Sequence, residues 1–372
     1  MKIHIFSQGT KTPWVDIILV YLVHQIIVFA TDYFGQKFLA GRKIYLEPLV
    51  TIIEGLSHWD GRWFIRVATE GYTEKSAAFF PLYPSLIKLL QNLSIDPQIG
   101  ALLISNIAFF LVLVVFYRLL SRDYDHEIAV RSLWYLGLFP TAFYFSALYT
   151  ESLYLLFVLL TLYLGRSRRW FLAALCGLLA GLTRNLGLFL VVPLLYEYWK
   201  QENLSLKNLS FEKIRSAFWF ALIPAGLVGF MYYFWFVLGN PLAFAAAQKF
   251  WKRGLDFPWA SIYGAIINIT KSNNLMNLVF TLLALGILVL AVKRIRPSYT
   301  LYMFFGFVIP LSSPAVHSPL MSMPRFILVL FPIYLVLALV IRREQIHWTW
   351  VTLSSMSMIF LTMMFTNSRW VA

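Results

Sequence analysis

QIGALLISNIAFFLVLVVFYRLL, Gln98 to Leu120, meets its first charged residue only at Arg118. A bilayer crossing takes about 20 mostly apolar residues, whereas an ordinary buried strand takes only about 4–8. The stretch therefore reads as a membrane-spanning helix. Apolar segments of the same kind cover 14–34, 132–149, 152–165, 170–184, 186–199, 216–238, 275–292, 299–312, 326–341 and 347–366. Taken with the first, they predict about eleven spans. Composition agrees: 60% of the 372 residues are hydrophobic and only 13% are charged. A soluble domain carries about a quarter charged residues. Mean hydropathy is +0.70, and the 33 Phe, 20 Tyr and 13 Trp suit lipid-facing helices and interfacial belts. The expected fold class is all-α, a polytopic transmembrane helix bundle. One integral membrane domain over 1–372 is expected, with no soluble domain, linker or internal repeat.

The net charge of +14 raises the possibility of nucleic-acid binding. Its basic residues, however, fall in short clusters between apolar runs, which fits orientation by positive loops better than a phosphate-tracking surface. No nucleic-acid partner is expected. With Lys2 and Lys11 in the cytoplasm, alternation puts Arg118, Arg122 and Arg131 inside. It also puts inside Arg166, Arg168 and Arg169; Lys200, Lys207, Lys213 and Arg215; Lys293, Arg294 and Arg296; and Arg342 with Arg343. Long loops near 35–97 and 239–274 then lie on the opposite face, and so does the C-terminus. The first apolar segment lacks a small-residue cleavage site and reads as a retained helix. Cys176, the single cysteine, has no partner for an internal disulfide. Three loop stretches read as amphipathic surface helices: IYLEPLVTIIEGLSHW, FFPLYPSLIKLLQNL (Phe79 to Leu93) and PLAFAAAQKFWKRG (Pro241 to Gly254).

Within the first outer loop, SHWDGRWFIRVATEGY (Ser57 to Tyr72) concentrates charge and aromatic rings. Asp60 followed by Gly61, with Gly71 ten residues on, suits a helix capped by an Asp and stopped by a Gly. The alternative role for Asp60 is a general base, and the two are compatible because a cap also holds the carboxylate still. Trp59 and Trp63 read either as interfacial residues or as stacking surfaces for a sugar. The two prolines of FFPLYP stop any helix there. Glu151, in the YTES turn, reads first as a helix cap. Arg184, in AGLTRNLG, has no acidic neighbour in sequence, and an arginine at that depth is costly unless it is paired or faces a polar cavity. A re-entrant turn or a site for an anionic group such as a lipid phosphate accounts for it. Gln248 and Lys249 belong to a basic amphipathic patch with Lys252 and Arg253. Arg325 of MPRF snorkels by default, and His317 lies in a Pro/Ser-rich turn. The charge-derived orientation puts Asp60, Glu151, Arg184, Gln248, His317 and Arg325 on one face. No Gly-rich phosphate loop, HExxH or paired CxxC is present, so no metal or cofactor is expected.

Taken in order, HWD with a following GY, then FFPLYP, YTESL, GLTRNLG and a late PRF resemble the PIG-V mannosyltransferases. These add the second mannose in GPI-anchor synthesis, have bacterial relatives of similar layout, and belong to the GT-C class of multispanning glycosyltransferases. The resemblance runs from about Leu56 to Phe331. It implies transfer of a hexose, mannose in this family, from a polyprenyl- or dolichyl-phosphate donor to a lipid-linked or glycan acceptor, with inversion. It places the site on the non-cytoplasmic face, periplasmic in a bacterium and lumenal in an endoplasmic reticulum. It makes Asp60 the base, since an acidic residue of the first outer loop has that role in the class. Arg184 and Arg325 are then the first candidates for the donor phosphate, with Gln248, Lys249 and His317 behind them. His58, Trp59, Arg62, Trp63, Tyr72, Tyr83 and Glu151 are candidates for the sugar and acceptor pocket. The sparse outer loops favour a bacterial-type glycolipid or glycan acceptor over the GPI precursor. A transporter of lipid-linked sugars is the competing class, but such proteins often show internal repeats and sites near the midplane.

Overall fold

A computed structural model describes residues 12–39, 47–203, 210–271 and 273–371. Lys2, Lys11 and Lys207 of the charge pattern lie outside these residues, as do Ile44 to Leu46 of the first predicted surface helix. Among the described residues there is no strand, only an isolated bridge between Arg253 and Ala315. The helices in chain order are α1 (Trp14–Leu39), α2 (Pro48–Leu56), α3 (Asp60–Glu70), α4 (Leu82–Asn92), α5 (Pro97–Leu120) and α6 (His126–Gly137). Next come α7 (Glu151–Arg166), α8 (Trp170–Thr183), α9 (Val191–Gln201), α10 (Phe211–Phe218), α11 (Leu222–Leu238) and α12 (Ala243–Ala246). The last six are α13 (Pro258–Ile267), α14 (Asn274–Ala291), α15 (Pro297–Leu311), α16 (Met323–Leu328), α17 (Pro332–Val340) and α18 (Glu344–Thr366).

Five stretches, Trp14–Phe38, Pro97–Leu120, Lys213–Leu238, Asn274–Ala291 and Glu344–Thr366, are long and apolar enough to cross a membrane. The protein is an integral membrane helix bundle. The other predicted spans are shorter helices or broken ones. Segment 326–341, for example, is split between α16 and α17, with Pro332 opening the second piece. Local chemistry accounts for helix ends elsewhere. Asp96 accepts the backbone N–H groups of Gln98 and Ile99 ahead of Pro97, so α5 starts on a cap followed by a proline. α11 stops at Gly239, whose φ of 68° is left-handed. The predicted surface helices appear as α2 and α4, and as a short α12 followed by a 3-10 turn over Ala247–Trp251. FFPLYP does not stop a helix, contrary to expectation. α4 begins at Leu82, so Pro84 falls in its first turn, where a missing N–H costs nothing.

The expected span 132–149 departs furthest from a helix. After Gly137 the chain runs through Pro140 and a 3-10 turn (Ala142–Phe145) into the start of α7, and residues 141–150 are all buried. Irregular backbone at this depth needs protein partners for its polar groups. α1 supplies some of them: His24 reaches the carbonyl oxygen of Gly137 (2.7 Å) and the Ser146 hydroxyl (3.0 Å). Gln25 and Asn106 meet the same hydroxyl, which donates to one amide oxygen or the other. The first loop supplies another, since Leu148 N–H donates to the Leu56 carbonyl (3.2 Å). This buried turn is the floor on which the site is built.

α7 also sets two charged networks apart. Glu151 opens the helix and Arg166 closes it, roughly 22 Å away at 1.5 Å per residue. At the Arg166 end, Asp123 is paired with Arg166 and Arg296, and Arg296 also holds Glu197 (3.2 Å). The loops predicted to be cytoplasmic meet there.

Candidate active site

HWDG opens α3, but Asp60 does not cap it. Trp59 is the cap residue, at φ 55° and ψ −113°, and it makes no side-chain capping bond. The Tyr149 hydroxyl does that work: it accepts the Asp60 N–H (3.3 Å) and donates to the His58 carbonyl (2.9 Å). Gly61 permits the approach, because a Cβ there would lie 3.2 Å from the Leu148 carbonyl oxygen. With its own N–H served by Tyr149 and those of Gly61 and Arg62 by the His58 and Trp59 carbonyls, the Asp60 carboxylate turns to another partner. Arg325 Nη1 donates to Asp60 Oδ2 at 2.7 Å.

Arg325 is buried at 4% exposure, so it does not snorkel. Its Nε donates to Glu151 Oε1 (2.9 Å), while Tyr149 and Tyr144 face its guanidinium at 4.6 and 5.1 Å. Glu151, fully buried, is no helix cap either; Arg184 Nη1 reaches the same Oε1 at 2.9 Å. The acidic partner that Arg184 lacks in sequence is thus supplied from the start of α7. Arg184 leaves α8 in extended geometry (φ −151°, ψ 142°) before a 3-10 turn over Asn185–Leu190. That turn doubles back on α8 so tightly that a Cβ on Gly187 would fall 2.3 Å from backbone atoms of Ala180 and Gly181. Gly187→Ala must therefore move backbone against backbone and displace Arg184. We expect a loss of about 3 kcal/mol, the upper end of ordinary overpacking, seen as a lower midpoint of thermal unfolding in detergent. An unchanged midpoint would mean that the turn does not sit this close.

These groups surround a cavity of about 780 Å³. Asp60, Arg184, Arg325 and Gln248 line it together with Trp59 and Trp63, as the sequence suggested. Leu186, Phe189, Ile309 and Pro310 add an apolar side. The structure places the remaining candidates elsewhere. Glu151 lies behind the two arginines, not on the wall. Lys249 is exposed and outside the lining, because the next residue along a helical turn from Gln248 faces away. His317 is likewise exposed and outside it. Arg62 is exposed on α3, where its Nη2 meets His58 Nδ1 (3.3 Å). His58 is buried and reaches the Thr366 carbonyl (3.1 Å) and the Ser368 hydroxyl (3.3 Å) through Nε2. Tyr72 donates to the Phe79 carbonyl (2.9 Å), and Tyr83 bonds to Ala101 and Ser105 in the core. Both are packing residues.

The wall also includes Arg253, Trp251 and Trp370, none of them a site candidate from the sequence. In the sequence Arg253 reads only as part of a surface basic patch. Its guanidinium donates to the carbonyls of Met321 (2.9 Å) and Ser313 (3.4 Å). Burial brings its pKa down to about 10, with Asp60 pulling up and Arg325 pushing down, so it stays a cation at neutral pH. Three guanidinium groups thus accompany two carboxylates, Asp60 and Glu151, and the cluster carries one excess positive charge. Among the described residues, no three His, Cys, Asp or Glu side chains form a metal-binding group. The Asp-Tyr-Asp triplet at 123–125 belongs to the opposite end, where Asp123 is held by arginines.

A model of the family described as Mannosyltransferase (PIG-V) matches residues 43–240. That range holds Asp60, Glu151 and Arg184. One curated relative is GPI mannosyltransferase 2 of Drosophila pseudoobscura pseudoobscura, 29% identical over 171 residues. The aligned part covers 40% of this chain and 38% of that protein's length.

Proposed function

Because this chain belongs to the mannosyltransferase (PIG-V) family, we propose that it transfers mannose from a polyprenyl-phosphate donor to a glycolipid or glycan acceptor. The observation that carries this reading is the grouping of Asp60 with Arg184, Arg253 and Arg325 around one partly apolar cavity. A lipid-phosphate sugar has the matching shape of charge: an apolar tail, one phosphodiester negative charge and a polar ring. The single excess positive charge of the cluster balances that phosphate.

In the proposed step, Asp60 Oδ1 takes the proton of the acceptor hydroxyl while Arg325 holds Oδ2. The hydroxyl oxygen forms a bond to the anomeric carbon as the bond from that carbon to the phosphate oxygen breaks on the opposite face. Inversion follows. The bonding electrons leave with the phosphate, and Arg184, Arg325 and Arg253 stabilise the developing charge. Glu151 keeps two of those cations at the site. The site faces away from the cytoplasm; the clustering of Arg166 and Arg296 at the other end of α7 supports that orientation.

Incubation of the purified protein with polyprenyl-phosphate-mannose and lipid acceptors tests the reading by mass spectrometry. Mannosylated acceptor and sugar-free polyprenyl phosphate appear in equal amounts if it holds. Movement of the intact donor across a vesicle membrane without product would identify a transporter instead. Arg184→Ala removes one charge-assisted contact, worth roughly 1.5–3 kcal/mol, so KM for the donor rises about 10–100-fold. Folding survives because Arg325 still neutralises Glu151. Unchanged donor KM in a folded Arg184→Ala protein would remove Arg184 from phosphate binding.

A further inference from the structure

We propose that Trp370, on the segment Asn367–Val371 beyond α18, is a binding residue that contacts the donor sugar. The inference rests on the proposed transfer reaction. Trp370 lies outside the matched range 43–240 and on no motif of the catalytic loop. Nonetheless its ring lines the same cavity as Asp60 and Arg325. It meets Trp59 edge to face, with centroids 5.5 Å apart and planes at 82°, and stands 6.0 Å from the Arg325 guanidinium. Trp59 and Trp370 therefore form an aromatic corner beside Asp60, the first residue of α3, and the cation that holds it.

Position makes the sugar the matching ligand part. In a phosphate-linked donor the anomeric carbon is one oxygen away from phosphorus. The phosphate carries two ester arms, and the arm on the side of the base Asp60 is the sugar. Trp370 packs on Trp59, next to Asp60, and so flanks that arm, where the apolar C–H face of a pyranose packs on an aromatic plane. The segment is anchored as a wall should be. Asn273 Nδ2 donates to the Trp370 carbonyl (2.6 Å), and Val371 is buried at 2% exposure. His58 ties the other end through Thr366 and Ser368. The histidine of HWDG thereby acts as a positioning residue, fastening this segment against the motif. An interfacial tryptophan would look different: Trp235 and Trp259 are 62% and 66% exposed, whereas Trp370 is half-buried and held.

The test compares wild type, Trp370→Phe and Trp370→Ala. Two quantities are measured: KM for polyprenyl-phosphate-mannose, and the inhibition constant of sugar-free polyprenyl phosphate. For Trp370→Ala, KM rises about tenfold, the scale of one lost aromatic contact, while the inhibition constant stays within about twofold; Trp370→Phe falls between. A parallel rise in both constants would mean that the ring only supports Arg325, and no change in either would remove it from the site. Both outcomes overturn the proposal. Absence of transfer by the wild type would instead sink the reaction itself, so the two failures are told apart.

Discussion

Asp60→Asn is expected to lower turnover by about 10²–10⁴-fold, the usual worth of a positioned general base, with donor binding within a few-fold of wild type. The substitution is close to isosteric, and the amide oxygen still accepts from Arg325 Nη1, whose bond to Asp60 is 2.7 Å long. What disappears is the capacity to take a proton. The shape of the wall, the Tyr149 bonds to the α3 backbone and the Arg325–Glu151 contact are untouched, because none uses the Asp60 carboxylate. Turnover and binding of sugar-free polyprenyl phosphate should therefore separate. A purified Asn variant that turns over near the wild-type rate would end the assignment of Asp60 as base. A variant that loses turnover and lipid binding together would show that the Asp60 charge is needed to hold Arg325.

How much of this was readable in advance depends on how far apart the partners lie in the chain. Five of the spans follow from apolar runs, and HWDG, TRNLG and PRF stand out because polar residues are rare in such a chain. Their pairing was not visible. Asp60 meets Tyr149 across 89 residues, Arg325 meets Glu151 across 174, and Arg325 meets Asp60 across 265. The helix-cap reading of Asp60 uses the only partners a local sequence offers, the backbone N–H groups that follow it. Here Asp60's own N–H goes to a distant tyrosine, and those of Gly61 and Arg62 go to the His58 and Trp59 carbonyls. The cap reading of Glu151 fails for the same reason, its partners Arg184 and Arg325 being distant in the chain. Arg253 and Lys249 share one basic stretch, and only the turn of the backbone decides which enters the cavity. Trp370 had no local signal at all, since its role comes from Asn273 and His58 holding the segment in place.

Glu151→Gln should be the most destabilising single change at the site, by about 3–5 kcal/mol. Glu151 is fully buried, and its Oε1 lies 2.9 Å from both Arg184 and Arg325. Neutralising it leaves two cations in a poorly hydrated place, with Asp60 able to balance only the one it touches. The cost is the desolvation of an unpaired guanidinium rather than the loss of a hydrogen bond, and this has a specific consequence. Removing the surplus cation as well should restore stability, so Glu151→Gln with Arg184→Ala should unfold at a higher temperature than Glu151→Gln alone. Equal midpoints for the single and double variants would show that Arg184 is not a charge partner of Glu151. Ligand linkage gives a second, independent readout. Sugar-free polyprenyl phosphate brings back the missing negative charge, so it should raise the unfolding midpoint of Glu151→Gln more than that of wild type. A merely structural carboxylate would give the same ligand shift in both proteins, because its loss would change packing without changing what the arginines seek.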